Sequence, residues 1–238
     1  MIRPELKIFL DVQSLYAQAA RDIENIAINS ITSRGSAQIA LSGGNTPKQL
    51  YAILDKSGRV PWDRVDFFLS DERMVPLTDS QSNYQMIKSA MPQAKIHPMN
   101  TDAGDPSWSA DLYQEEITQF VPGGDNETPP AFDLILLGLG VNGHTASLFP
   151  HIKLSDNPKK WVETFFIPEV EMNRISFLPR LINAAQNIFV IIAGAEKASI
   201  AQKVMNESGY PMNLIAPQSG RYFWFLDQAA SQYLAKAA

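Results

Sequence analysis

The chain holds three histidines in 238 residues. One of them, His144, lies in the stretch LILLGLGVNGHTASLFP, from Leu134 to Pro150. An apolar run ends at Gly138, three glycines fall within six positions, and the imidazole follows. A histidine on a glycine turn just past a strand is poorly placed for the core and well placed for proton transfer near neutral pH. A short helical turn is expected from His144 to Pro150.

Three further stretches carry candidate chemistry. In SGGNTPKQL, Ser42, Gly43 and Gly44 follow a strand, Asn45 continues the turn, and Thr46 reads as a helix N-cap. Pro47 suits the first helical position and Gln49 completes a T-x-x-Q capping box. The N–H groups of such a helix start bind anions, phosphate above all; the same pattern also suits an ordinary strand-to-helix turn. In FFLSDERMVP, Asp71, Glu72 and Arg73 cluster past another strand end. They read either as a solvated loop with a local ion pair or as part of a site. Arg174 and Lys197 each lie near a strand terminus in RISFLPRLINAAQNIFVIIAGAEKASI. A cation early in a helix is disfavoured by the helix dipole unless an anion joins it. Arg180 reads as a surface residue. His97 and His151 form no spaced ligand pair with His144, so no metal site is expected. Both read as structural or surface residues, with His151 possible at a pocket rim. An anion-binding loop, a histidine and separated cations at four strand ends describe a pocket for a small phosphorylated molecule with acid–base chemistry.

The elements that must position these residues alternate along the chain. Strands are expected at Leu6–Asp11, Ala37–Leu41, Val65–Leu69, Phe132–Leu137, Ile188–Ala193 and Tyr222–Leu226. Most are unbroken apolar runs, as in a parallel sheet covered on both faces. A long amphipathic helix is expected over 12–31, with others from the SGGNTP turn to Asp55 and over 83–91, 107–120, 195–207 and 227–236. The alternation predicts an α/β fold with a doubly wound, Rossmann-like, mostly parallel sheet and helices on both faces. One domain over 1–238 is expected, with a small subdomain near 150–180. The Pro/Gly-rich stretches at 122–130 and 151–160 read as surface loops, the second able to border a site.

Composition bounds the function. The chain is 45% hydrophobic and 19% charged, with net charge −5 and no cysteine. There is no disulfide and no thiolate nucleophile. No long Lys/Arg run suggests a nucleic-acid surface. No apolar run is long enough for a membrane span, and the N-terminus lacks a secretory h-region. The expected location is cytoplasmic.

SGGNTPKQLY, FFLSDERMVPLTDSQSNY, FDLILLGLGVNGHTASLFP and the RIS…LINAA…GAEK block resemble the 6-phosphogluconolactonase family, within the glucosamine-6-phosphate isomerase/6-phosphogluconolactonase superfamily. The match runs in order from about residue 36 to 226. The resemblance implies a fold like that of glucosamine-6-phosphate deaminase and ribose-phosphate isomerase. It implies hydrolysis of 6-phospho-D-glucono-1,5-lactone to 6-phosphogluconate, in the oxidative pentose phosphate pathway, with no metal or organic cofactor. By position, His144 would be the acid–base residue, with Asp71, Asn142 and Arg73 around the lactone. Ser42, Gly43, Gly44, Asn45 and Thr46, with Arg174 and Lys197, would hold the phosphate. Relatives commonly carry Asp where this chain has Asn142, which implies a lower His144 pKa here. A Thr-rich strand often follows the arginine in relatives; here the run is Ser176-Phe177-Leu178. Two alternatives are a glucosamine-6-phosphate deaminase-like isomerase and a non-catalytic sugar-phosphate-binding protein. The deaminases usually have Tyr at the Arg73 position and a glutamate at the Phe149 position, and both differences weigh against the first.

Overall fold

A computed structural model describes residues 2–102, 104–125 and 127–234. Its elements, in chain order, are β1 (Glu5–Phe9), α1 (Val12–Arg34), β2 (Ala37–Leu41), α2 (Asn45–Ser57), β3 (Val65–Leu69), β4 (Asp71–Arg73), α3 (Asn83–Ala90), β5 (Lys95–Ile96) and α4 (Pro106–Phe120). After them come β6 (Leu134–Gly138), β7 (Val162–Ile167), β8 (Met172–Phe177), α5 (Pro179–Asn183), β9 (Asn187–Ile192), α6 (Ala198–Asn206), β10 (Arg221–Asp227) and α7 (Gln228–Ser231). Seven strands form one parallel sheet in the order β1-β10-β9-β6-β2-β3-β5. All five residues of β2 are buried, as are the first four of β6. That is the pattern of strands covered on both faces. The architecture is α/β with a mostly parallel sheet, as the strand and helix alternation predicted.

Local signals set the boundaries. Asp11 accepts from the Ser14 backbone and Ser14 answers in a capping box, so the chain leaves β1 at Phe9 and enters α1. The strand expected to reach Asp11 therefore stops two residues earlier. α1 buries Leu15, Tyr16, Ala19, Ile23 and Ala27 along one stripe. The helix expected over 227–236 is the short α7, capped by Asp227; residues 235–236 lie outside the described residues.

Three strands absent from the sequence reading make a second, antiparallel sheet in the order β4-β8-β7. The DER cluster is thus a strand, not a loop. Ser70 joins the two sheets. Its N–H donates to Leu41 of β2, and its carbonyl accepts from Phe177 at the end of β8. Aromatic rings pack beneath this junction: Phe68–Phe132 at 5.3 Å and Phe132–Phe177 at 5.5 Å between centroids. All three are fully buried, and each contributes roughly 1.5–3 kcal/mol of hydrophobic stabilisation.

The connections define where a site can form. From β2 the chain moves outward to β3 on one side, and β6 returns on the other. The crevice at the carboxyl ends of β2 and β6 is therefore the switch point of the sheet, where open α/β folds bind ligands. SGGNT and GLGVNGH leave from those two ends.

Candidate active site

A cavity of about 450 Å³ opens at this switch point. Ser42, Gly43, Gly44, Asn45, Thr46, Asp71, Arg73, His144, Arg174 and Lys197 all line it. Asn142 does not line it and stands behind His144. His97 and His151 lie away from it. His97 is buried between Asp66 and Glu116, at 2.9 and 2.7 Å. His151 meets Glu169 at 3.1 Å on the exposed surface.

The residues from His144 to Pro150 do not form the expected helical turn. They make a tight turn bridged between Thr145 and Leu148, with Ala146 at a positive φ of 47°. His144 is partly buried rather than freely exposed. Its ring lies so close to Gly140 that a Cβ there would stand 2.1 Å from Nδ1 and Cε1. Gly140 is therefore required by the histidine itself. Asn142 Oδ1 accepts from the His144 backbone N–H at 3.2 Å and lies 2.6 Å from Nδ1. The backbone N–H can only donate, so the amide atom facing it is the oxygen. Nδ1 must then carry the proton. Nε2 is left as the acceptor nitrogen, with no protein partner among the described residues. Burial pushes the His144 pKa down to about 4, against the opposing charge of Asp71; Arg174 and Lys197 lower it further. The ring is an uncharged base at neutral pH.

β4 and β8 deliver three more groups. Side chains alternate along a strand, so Asp71 and Arg73 face the cavity while Glu72 points the other way. Glu72 is fully buried and accepts from the backbone of Arg73, Asn83 and Tyr84 and from the Ser82 hydroxyl. It fastens the start of α3 rather than joining the site. Asp71 Oδ2 accepts from Ser147 Oγ at 2.7 Å, and Ser176 Oγ accepts from the Ser147 backbone at 3.1 Å. These bonds tie the histidine turn to β4 and β8 of the small sheet. Arg73 and Arg174 are direct cross-strand partners. Like charges so placed repel, and Nε of each is buried without a hydrogen bond among the described residues. Burial lowers the Arg174 pKa, with the charge of Asp71 opposing. An anion between these guanidiniums relieves the repulsion.

The end expected to bind an anion differs in detail from expectation. α2 starts at Asn45, its N-cap is Gly44 at φ 108°, and no side chain caps it. Thr46 is thus inside the first turn and its capping box does not form. Lys197 ends a single 3₁₀ turn, Ala195–Lys197, and serves as N-cap of α6. Burial lowers its pKa, partly offset by Glu196. Asn83 and Glu196 line the cavity and were not anticipated. Asn83 presses on Gly43, where a Cβ would stand 1.9 Å from its Oδ1. It lies near the end of the FFLSDERMVPLTDSQSNY stretch but was given no role there, since its partners Asp71 and Gly43 are 12 and 40 residues away in sequence. Among the described residues no group of three metal-ligating side chains is gathered, and no helix is long and apolar enough to cross a membrane.

Comparison with known proteins places the chain in a family. Residues 10–224 match the family described as Glucosamine-6-phosphate isomerases/6-phosphogluconolactonase. The chain is 37% identical to 6-phosphogluconolactonase of Synechocystis sp., over 97% of this chain and 98% of that protein. It is 34% identical to 6-phosphogluconolactonase of Haemophilus influenzae, over 82% and 87% respectively. The solved structure of 6-phosphogluconolactonase from Trypanosoma brucei superposes with a TM-score of 0.86 at 27% identity, covering 99% of this chain and 100% of that one. A monomeric glucosamine-6-phosphate deaminase shares the fold, with a TM-score of 0.76 at 19% identity over 96% of this chain and 99% of that one. The chain belongs to the glucosamine-6-phosphate isomerase/6-phosphogluconolactonase family.

Proposed function

We propose that this protein hydrolyses 6-phospho-D-glucono-1,5-lactone to 6-phosphogluconate, the lactone-opening step of the oxidative pentose phosphate pathway. One observation carries the reading: a neutral histidine with Nε2 unpartnered shares one cavity with an uncapped helix N-terminus and three cationic side chains. The α2 N-terminus, Arg174 and Lys197 hold the phosphate. Binding at that remote end places the lactone carbonyl beside His144. Nε2 takes a proton from water as the oxygen attacks the carbonyl carbon. Arg73 stabilises the oxyanion of the tetrahedral intermediate. The intermediate collapses with cleavage of the bond to the ring oxygen, which receives the proton from the imidazolium. Asp71, anchored by Ser147, offsets the positive charge on His144 during that interval. Each step is a proton transfer, an addition to the carbonyl or the expulsion of the ring oxygen, and side chains of this chain suffice for all of them. The reading carries with it a cytoplasmic enzyme that takes a small sugar-phosphate lactone and requires no nucleic acid, membrane or cofactor.

The test is proton release from lactone generated in situ, measured above spontaneous hydrolysis. His144→Gln should lose about 10²–10⁴-fold in kcat with little change in KM. Full activity in that variant removes the mechanism.

A further inference from the structure

We infer that Phe149 is a positioning residue that aims His144 and steadies Arg174, a role that rests, for its kinetic arms, on the lactone-hydrolysis reading. Phe149 is buried, and its ring is stacked on the His144 imidazole at 4.3 Å between centroids and 10° between planes. The Arg174 guanidinium carbon lies 5.8 Å from the centroid of the same ring. One phenyl group thus touches the base and supports a cation of the same cavity.

The geometry explains why a ring is needed there. The bond from Nδ1 to Asn142 fixes one atom of the imidazole. It does not hold the plane of the ring, and a ring free to tilt carries Nε2 away from its target and pulls Nδ1 out of the bond that sets the tautomer. A flat partner in face contact defines the plane of the imidazole. A hydrogen bond and a stacked face together set where Nε2 points. Gly140 admits the ring at this place but cannot orient it. For Arg174, whose Nε has no hydrogen bond among the described residues, the phenyl face supplies a weak cation–π contact. That contact holds the guanidinium without neutralising it, so its charge stays available to an anion.

The experiment uses the whole chain and three variants: Phe149→Leu, which keeps bulk but not a plane; Phe149→Tyr, which keeps the plane; and Phe149→Leu in a His144→Gln background. Histidine ¹⁵N spectra of the substrate-free proteins report the tautomer of His144, assigned by its loss in His144→Gln. The wild type and Phe149→Tyr should show the Nδ1–H form. Phe149→Leu should show a mixture with the Nε2–H form. With lactone, Phe149→Leu should lower kcat by about 10–10²-fold through misplacement of the base and raise KM about 2- to 5-fold through Arg174. Phe149→Tyr should restore both. In the His144→Gln background the Leu substitution should raise KM and leave kcat where His144→Gln put it. An equal further loss of kcat there, or an unchanged tautomer in Phe149→Leu, overturns the positioning role. A wild type inactive on the lactone, with the tautomer change intact, would remove the lactone reading and keep Phe149 as the orienting residue.

Discussion

Asn142→Asp is the sharpest probe of the histidine. It places a negative charge where a neutral amide oxygen now stands 2.6 Å from Nδ1. Taking about 4 Å between charge centres and an effective dielectric of about 20, the attraction to imidazolium is about 4 kcal/mol. That corresponds to about 3 pKa units at most, and the opening of the cavity to solvent reduces it to roughly 1–2 units. The direction follows from the sign of the charge. A carboxylate stabilises the protonated ring, so the His144 pKa rises from about 4 toward the range of 5–6. Only the unprotonated ring can act as base. The acid limb of kcat/KM therefore moves upward, and the variant loses activity at a pH where the wild type retains it. The assay is kcat/KM from pH 4 to 8 with lactone generated in situ, spontaneous hydrolysis subtracted, and a histidine ¹⁵N titration in parallel. Stability follows the same linkage. The folded-state pKa lies below the unfolded value of about 6.5, so the native state loses stability as pH falls from 6.5 to 4; the Asp variant should lose less. A limb and a titration that both stay put, or that move down, refute the coupling between residues 142 and 144.

Further outcomes are expected. Lys197→Ala should raise KM for the lactone by about 10–10²-fold, the loss of a charged hydrogen bond of roughly 1.5–3 kcal/mol; an unchanged KM removes Lys197 from the phosphate site. Gly140→Ala should cost about as much kcat as His144→Gln, because its Cβ would occupy the space of the imidazole, and ¹⁵N spectra should show the His144–Asn142 bond broken. At His97, burial lowers the pKa, but hydrogen bonds to Glu116 and Asp66 outweigh it and hold the pKa above the ordinary value. That stabilisation is present below about pH 6.5 and is lost as pH rises through the folded pKa. His97→Gln should then destabilise more at pH 6 than at pH 9 in urea titrations, and an equal cost at both would reject the linkage. Glucosamine 6-phosphate should yield no ammonia, and release faster than about 1 per second would overturn the choice between the two activities of the family.

The parallel sheet was legible because β2, β6 and β9 are near-continuous apolar runs, and that signal is local. The small sheet was not. β4 has three residues, all charged, and pairs with β8 about a hundred positions later. β7 and β8, VETFFI and MNRISF, mix polar and apolar residues because they form a hairpin with one covered face. The site residues were readable as types and less so as roles. Asp71, Glu72 and Arg73 look equivalent in sequence, and only a strand separates the two that face the cavity from the one that anchors α3. Asn83, which shapes the Gly43 turn, lies in the FFLSDERMVPLTDSQSNY stretch, but nothing local to it shows that it meets Gly43.

The start of α2 shows why a sound local rule gave way. Thr46, Pro47 and Gln49 make a capping box that would satisfy the first N–H groups of the helix with side-chain oxygens. In the fold the helix begins at Asn45, two residues earlier than Pro47, and Gly44 caps it with no side chain. Glycine is only modestly favoured there and contributes little to the helix. What it leaves behind is a set of unpaired N–H donors facing the cavity that holds Lys197 and Arg174. A capped helix would be more self-sufficient and a poorer anion site, because its donors would already be engaged. The uncapped start is coherent with the cross-strand pairing of Arg73 and Arg174 and with a lysine at the N-cap of α6. Each of the three is unfavourable by itself, and a phosphate bound as proposed would relieve all of them.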